Sequence, residues 1–266
     1  HIELDIKTKE PFARIWAFHH REAPLLTVPD SLSDGICCPA LDNDEMTLIP
    51  LSRPVEQIRL CASVADSSFA HSAFYGFSLE NGRSGVLYHS FGINGNTYAA
   101  INRNPQIVRQ ASGLCPDLVI VSLGTNDSYG ASFDPADADV QITRLIDSIR
   151  RNMPASVLLL TTPMEHCRRI RSKGRTYRKP NPNACAMREC ILRQAALYRL
   201  PVWDFYAAAG GDGAMGRWAD LGIANADRVH LSREGYRLQG KLFYDAIMKA
   251  YDHYRKHNGE LKILLN

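Results

Sequence analysis

Leu118-Val119-Ile120-Val121-Ser122-Leu123-Gly124-Thr125-Asn126-Asp127 is the stretch that decides the class of this chain. Leu118 to Leu123 is an apolar run of strand length. Such a run reads as a parallel strand buried on both faces, because a half-exposed strand would alternate. Gly124-Thr125-Asn126-Asp127 follows at its carboxyl end, where open parallel sheets gather their functional groups. The Asn126 side chain can donate an N–H to a developing oxyanion there. Asn and Asp are also ordinary turn formers, so the cluster alone does not fix a function.

Moving downstream, Val140 to Met153 carries a helical apolar stripe of Val140, Ile142, Leu145, Ile146, Ile149 and Met153. Val157–Leu160 reads as a second buried strand, Ala184–Tyr198 as a helix and Val202–Phe205 as a strand. Ser232 can cap a last helix with Leu238, Leu242, Ala246, Ile247 and Ala250 at helical spacing. Upstream, Gly85–His89 reads as a strand and Thr97–Leu114 as a helix challenged by Pro105. Strands alternating with helices predict an α/β fold with a parallel sheet covered on both faces.

Before residue 84 the pattern differs. Ile2–Ile6, Ala13–Phe18, Leu25–Val28, Met46–Leu51 and Gln57–Ala62 read as short strands punctuated at Pro29-Asp30 and Asp34-Gly35. These segments predict part of an antiparallel β module.

Two further polar clusters fall at strand or helix ends. Gly92-Ile93-Asn94-Gly95-Asn96-Thr97 follows the Gly85–His89 segment, and its glycines allow close backbone approach to a ligand. Asp227-Arg228-Val229-His230-Leu231-Ser232 precedes the last helix. An acid and an imidazole three residues apart can pair, which fixes the tautomer and leaves one ring nitrogen as a base. Either cluster could also be a plain turn.

The chain has 266 residues, 45% of them hydrophobic, enough to bury a sizeable core. Its net charge is +3, and the one dense basic run is Arg168, Arg169, Arg171, Lys173, Arg175, Arg178 and Lys179. No aromatic stacking pattern accompanies that run. It therefore reads as a solvated or glycan-facing loop, and nucleic acid is not an expected partner. No run of about 18 apolar residues predicts a transmembrane segment. His1-Ile2-Glu3-Leu4-Asp5 has neither a signal peptide's pattern nor an initiator Met, so the chain is expected to be the remainder of something longer. The seven cysteines are Cys37, Cys38, Cys61, Cys115, Cys167, Cys185 and Cys190. They read either as buried free thiols or as including a staple from Cys167 to Cys185 or Cys190. Their spacing is not that of a zinc site.

In order, the three polar clusters resemble the sequence blocks of the SGNH hydrolases, or GDSL esterases. Gly95 matches the second block, Gly124-Thr125-Asn126-Asp127 the Gly-x-Asn-Asp block, and Asp227 to His230 the Asp-x-x-His block. More narrowly, two stretches resemble the peptidoglycan O-acetylesterase branch. One is Tyr75 to Glu80 leading into Val86 to Gly95; the other runs from Gly210-Gly211-Asp212-Gly213 through Trp218 to His230.

The resemblance implies a flavodoxin-like α/β/α SGNH domain over residues 84–266. An incomplete β-sandwich, carbohydrate-binding-like module would occupy 1–83, as an insertion after the first block. It implies a serine esterase that removes O-acetyl groups from a cell-wall glycan such as peptidoglycan and needs no cofactor. Asp227 and His230 would serve the nucleophile, and Gly95 and Asn126 would bind the oxyanion. The Gly-Asp-Ser block that carries the nucleophile is not in this sequence. Ser31 and Ser33 do not follow a buried strand, and Ser90 and Ser128 lie in the wrong context. An N-terminal fragment or second chain is expected to supply that block. Its strand belongs near the middle of the sheet, so the chain is not expected to fold stably alone. The alternatives are a non-catalytic glycan-binding protein with a degenerate hydrolase domain, or an esterase for another acetylated carbohydrate or a lipid. Trp16, Phe18, Phe69, Phe74 and Tyr75 are candidate sugar-stacking aromatics. A periplasmic, cell-surface or secreted location follows from the resemblance.

Overall fold

The computed structural model describes residues 2–20, 23, 26–33, 38–40, 43–62 and 73–263. Leu25, Asp34-Gly35, Cys37 and Phe69, named above, lie outside them. The chain divides into two compact units. One comprises 1–91 with 106–115, the other 92–105 with 116–266.

In the first unit, β1 (Ile2–His19), β2 (Cys38–Ala40), β3 (Asn43–Ala62) and β4 (Phe74–Glu80) form an antiparallel sheet in the order β2-β3-β1-β4. The predicted strands Ile2–Ile6 and Ala13–Phe18 are one continuous strand, as are Met46–Leu51 and Gln57–Ala62. The sheet absorbs the stretch around Pro11 as shifts of register between Lys7, Phe12 and Arg14. Phe12, Ile15, Ala17, Ile49, Leu51, Ile58 and Leu60 form the core of this unit.

The segment Gly85–His89 is not a strand. Val86, Leu87 and Tyr88 are 95%, 61% and 82% exposed. A parallel strand has no hydrogen bonds of its own, so apolar sequence without a neighbour does not make one. The predicted helix over Thr97–Leu114 is two short ones, α1 (Tyr98–Arg103) and α2 (Gln106–Ser112). They part at Asn104, whose φ of −123° and ψ of 75° leave the helical region because Pro105 disfavours helical backbone at the residue before it. In the first unit α2 is tied to β3 by Gln106 and Arg109, which donate to the Glu45 carboxylate.

The second unit holds β5 (Leu118–Ser122), α3 (Thr125–Tyr129), α4 (Pro135–Asn152) and β6 (Val157–Thr161). Next come β7 (Cys167–Ser172), β8 (Arg175–Pro180), α5 (Pro182–Tyr198) and β9 (Val202–Trp203), then α6 (Phe205–Ala208), α7 (Ala214–Asp220) and α8 (Arg233–Ile263). Parallel strands run in the order β5-β6-β9. The helical stripe of α4 is buried at Ile142, Leu145, Ile146 and Ile149, and Asp134 caps its first turn at Ala136 N. The Ser232 hydroxyl accepts from Gly235 N at 3.3 Å, the expected cap of α8.

β5 is an edge strand among the described residues. The Asp117 carbonyl accepts from Val157 N, so strand alternation turns the N–H groups of Leu118, Ile120 and Ser122 away from β6. The side chains of Leu118 and Ile120 are 40% and 36% exposed, unusual for a strand of this composition.

The basic run expected as a loop is the antiparallel hairpin β7–β8. Its two-residue turn, Lys173-Gly174, has φ of 48° and 75°, as a type I′ turn requires. Cys167, Cys185 and Cys190 are free thiols, so the staple is absent. Cys190 lies in α5, its Sγ 3.6 Å from the Pro135 carbonyl oxygen, while Cys167 packs in a separate cluster with Met164, Phe205 and Trp218.

Candidate active site

All four expected site positions line or adjoin one cleft of about 560 Å³ in the second unit. Gly95, Asn126 and His230 line it, together with Ser122, Thr162, Glu165, His166, Tyr236 and others.

Gly95 sits third in a turn closed by Asn96 N donating to the Ile93 carbonyl. Its φ of 77° is left-handed and suits glycine at that turn position. The Thr97 hydroxyl then accepts from Ala100 N and starts α1.

Gly124, at the end of β5, has φ of 114°. A Cβ there would come within 3.1 Å of Met187 and 3.2 Å of Pro163, so both backbone and space demand glycine. Asn126 donates one amide hydrogen to the Asn96 carbonyl at 3.0 Å. That bond orients the side chain, and its second N–H is available to a ligand. Asp127 accepts from Tyr98 N at 2.9 Å, so the Gly-x-Asn-Asp turn holds the start of α1 beside it. Burial pushes the Asp127 pKa up, against the backbone bonds that favour its charged form. Asp127 is thus a positioning residue that keeps the Gly95 and Asn126 turns together.

The third cluster is an acid–imidazole pair. His230 Nδ1 lies 2.8 Å from Asp227 Oδ2, while Asp227 Oδ1 accepts from Val229 N and His230 N. Burial raises the Asp227 pKa, but the bonds from the His230 ring and these two N–H groups outweigh it and hold the carboxyl below its usual range. A charged Asp227 accepts the hydrogen bond from Nδ1–H, which fixes the tautomer and leaves Nε2 unprotonated in neutral His230. Among the described residues, Nε2 has no hydrogen-bond partner. The loop is pinned from both sides: Cys167 N donates to the Arg228 carbonyl, and Asn225 N to the His230 carbonyl.

Sequence reading missed the far wall. Glu165 is buried and accepts from Gly213 N and Met215 N, which fixes the start of α7 against the cleft. His166 is 1% exposed, stacks on Tyr129 and meets the Asn181 amide at Nε2, 3.1 Å away. Burial lowers its pKa, although the Met164 carbonyl and Glu165 favour the cation. Thr161-Thr162-Pro163, at the carboxyl end of buried β6, was the available signal for this wall.

Among solved structures, a peptidoglycan O-acetylesterase matches with TM-score 0.62 and 18% identity over 93% of this chain and 70% of that one. A GDSL-like lipase from Bacteroides thetaiotaomicron matches at TM-score 0.43 and 20% identity, over 59% of this chain and 73% of that one. An acetyl xylan esterase matches at TM-score 0.45 and 18% identity, over 59% and 78%. The first of these shares the fold of this chain. A comparison with curated protein sequences gave no match. Residues 65–238, most of the chain and all three polar clusters, match a single family, and the chain belongs to it: the GDSL-like lipase/acylhydrolases.

Proposed function

We propose that this protein is a serine esterase that removes O-acetyl groups from a cell-wall glycan such as peptidoglycan. The observation that carries the reading is the Asp227–His230 pair beside a cleft also lined by Gly95 and Asn126.

The nucleophile comes from a further segment, an N-terminal fragment or second chain, that adds a parallel strand to the open edge of β5 and ends it in Gly-Asp-Ser. The exposed apolar residues of β5 support this. In the reaction, His230 Nε2 takes the serine proton as the oxygen attacks the acetyl carbonyl. Asp227 holds the imidazole and stabilises its cation. The Gly95 N–H and the free Asn126 N–H receive the oxyanion; a donor of this kind is worth about 10²–10³ in turnover. His230 then gives the proton to the sugar oxygen as its bond to the acetyl carbon breaks, so the sugar leaves as the alcohol; water, deprotonated by His230, next attacks the acyl-serine and releases acetate and the free serine. No metal or organic cofactor enters. The substrate assignment rests on the resemblance to the peptidoglycan esterase branch, and it implies a periplasmic, cell-surface or secreted protein.

The test uses the complete protein. A fluorophosphonate probe should label one serine, located by peptide mass spectrometry in the added segment. His230→Ala should abolish labelling and cut acetate release from O-acetylated peptidoglycan by at least ~10³-fold. The unpartnered His230 Nε2 is equally consistent with a glycan-binding protein whose hydrolase site is degenerate. Absence of labelling and of acetate release, together with measured binding of the same glycan, would overturn the esterase reading in favour of that alternative.

A further inference from the structure

The β7–β8 hairpin carries Arg168, Arg169, Arg171, Lys173, Arg175, Arg178 and Lys179, and among the described residues none of them has an acidic partner. The register makes this worse for the isolated chain. Arg168 stands opposite Lys179, and Arg169 opposite Arg178. Like charges directly across an antiparallel pair repel, and because successive pairs alternate sides, Arg169, Arg171 and Arg178 share one face while Arg168, Arg175, Tyr177 and Lys179 share the other. The Nε of Arg168 is moreover buried without a hydrogen-bond acceptor. Fold stability gives no reason for such an arrangement.

The root of the hairpin supplies one. β7 follows directly on Met164, Glu165 and His166, which line the cleft. Both legs are fastened there: Asn181 N donates to the His166 carbonyl, and Cys167 N to the carbonyl of Arg228, two residues from His230. Six residues per strand give an arm about 20 Å long, rising from the cleft wall. Its type I′ turn and cross-strand pairing make it a defined element.

We infer that the hairpin is a docking arm for a carboxylate-bearing polysaccharide, holding the polymer along β7–β8 while one of its ester groups enters the cleft. The inference rests on the esterase reading for that second clause. Five of the seven cations are arginines, whose planar forks match carboxylates in pairs. The hairpin exposes one aromatic ring, Tyr177, which is 45% accessible. One ring can stack on a sugar, whereas single-stranded nucleic acid is gripped by a succession of rings.

Binding is measured without catalysis, so this inference and the esterase reading fail separately. The complete protein is titrated into labelled polygalacturonate, its neutral methyl ester, a DNA duplex and vesicles of anionic phospholipid. Polygalacturonate should bind in a salt-sensitive way, and the methyl ester should not. The exposed face residues changed together, Arg169→Gln, Arg171→Gln and Arg178→Gln, should weaken binding about tenfold, with thermal unfolding as the control for folding. An unchanged affinity in that variant overturns the inference. So does equal binding of the methyl ester, or tighter binding of DNA or vesicles. If the triple variant unfolds, Arg171→Gln alone, exposed and opposite Thr176, carries the test with a smaller loss in the same direction.

Discussion

His166 shows how far a residue's role can lie from its place in the sequence. It sits two residues before the basic run, in a stretch that carries no motif. Its surroundings are made by Asn181 and Tyr129, both distant in sequence, and no local pattern announces them. Gly95, Asn126, Asp227 and His230 each sit in a cluster that could be a plain turn; their order, matching known sequence blocks, singled them out, and the structure brings Gly95, Asn126 and His230 to one cleft with Asp227 paired to His230. Their neighbours Glu165 and His166 were not singled out. The buried imidazole has a consequence for stability. Its folded pKa is lowered, so the unfolded chain binds the proton more readily. The stability is therefore full above the unfolded value, about 6.5, and is lost as pH falls through the lowered folded value. Thermal melts between pH 8 and 5 should show this decline, and His166→Gln should flatten it.

Two of the elements that were misjudged share one cause, which is that local sequence was asked to report a neighbour. Gly85–His89 has strand composition but no described strand beside it. The Cys167–Pro180 stretch lacks strand composition because arginine and lysine fill it, yet cross-strand pairing and a Lys-Gly turn make it a hairpin. Helix α8, by contrast, was legible from its cap and apolar spacing. Its start contains a constraint that spacing does not reveal. A Cβ on Gly235 would overlap the carbonyl oxygen of Ile223, the same oxygen that accepts from Ser232 N. Gly235→Ala should push α8 off the loop that carries Asp227 and His230. The expected loss is about 1–3 kcal/mol in chemical denaturation, with a matching fall in esterase turnover.

Across the whole molecule, the alternation of strands and helices after residue 84 gave the α/β class, and the β-rich start gave the antiparallel sheet. Sequence could not say which strand ends the parallel sheet, since an edge and a centre can share one composition. The open side of β5 can be tested by amide exchange on this chain. Leu118, Ile120 and Ser122 should exchange fast, while Val119 and Val121, turned toward β6, should be slow. Binding of a strand-donating segment should slow the first three. Until such a segment is bound, this edge also governs how the material behaves in the tube. Two copies can satisfy their bare backbone groups on each other, and the exposed Leu118 and Ile120 add an adhesive face. Preparations of the chain alone should therefore form oligomers as concentration rises, and light scattering over a dilution series checks this.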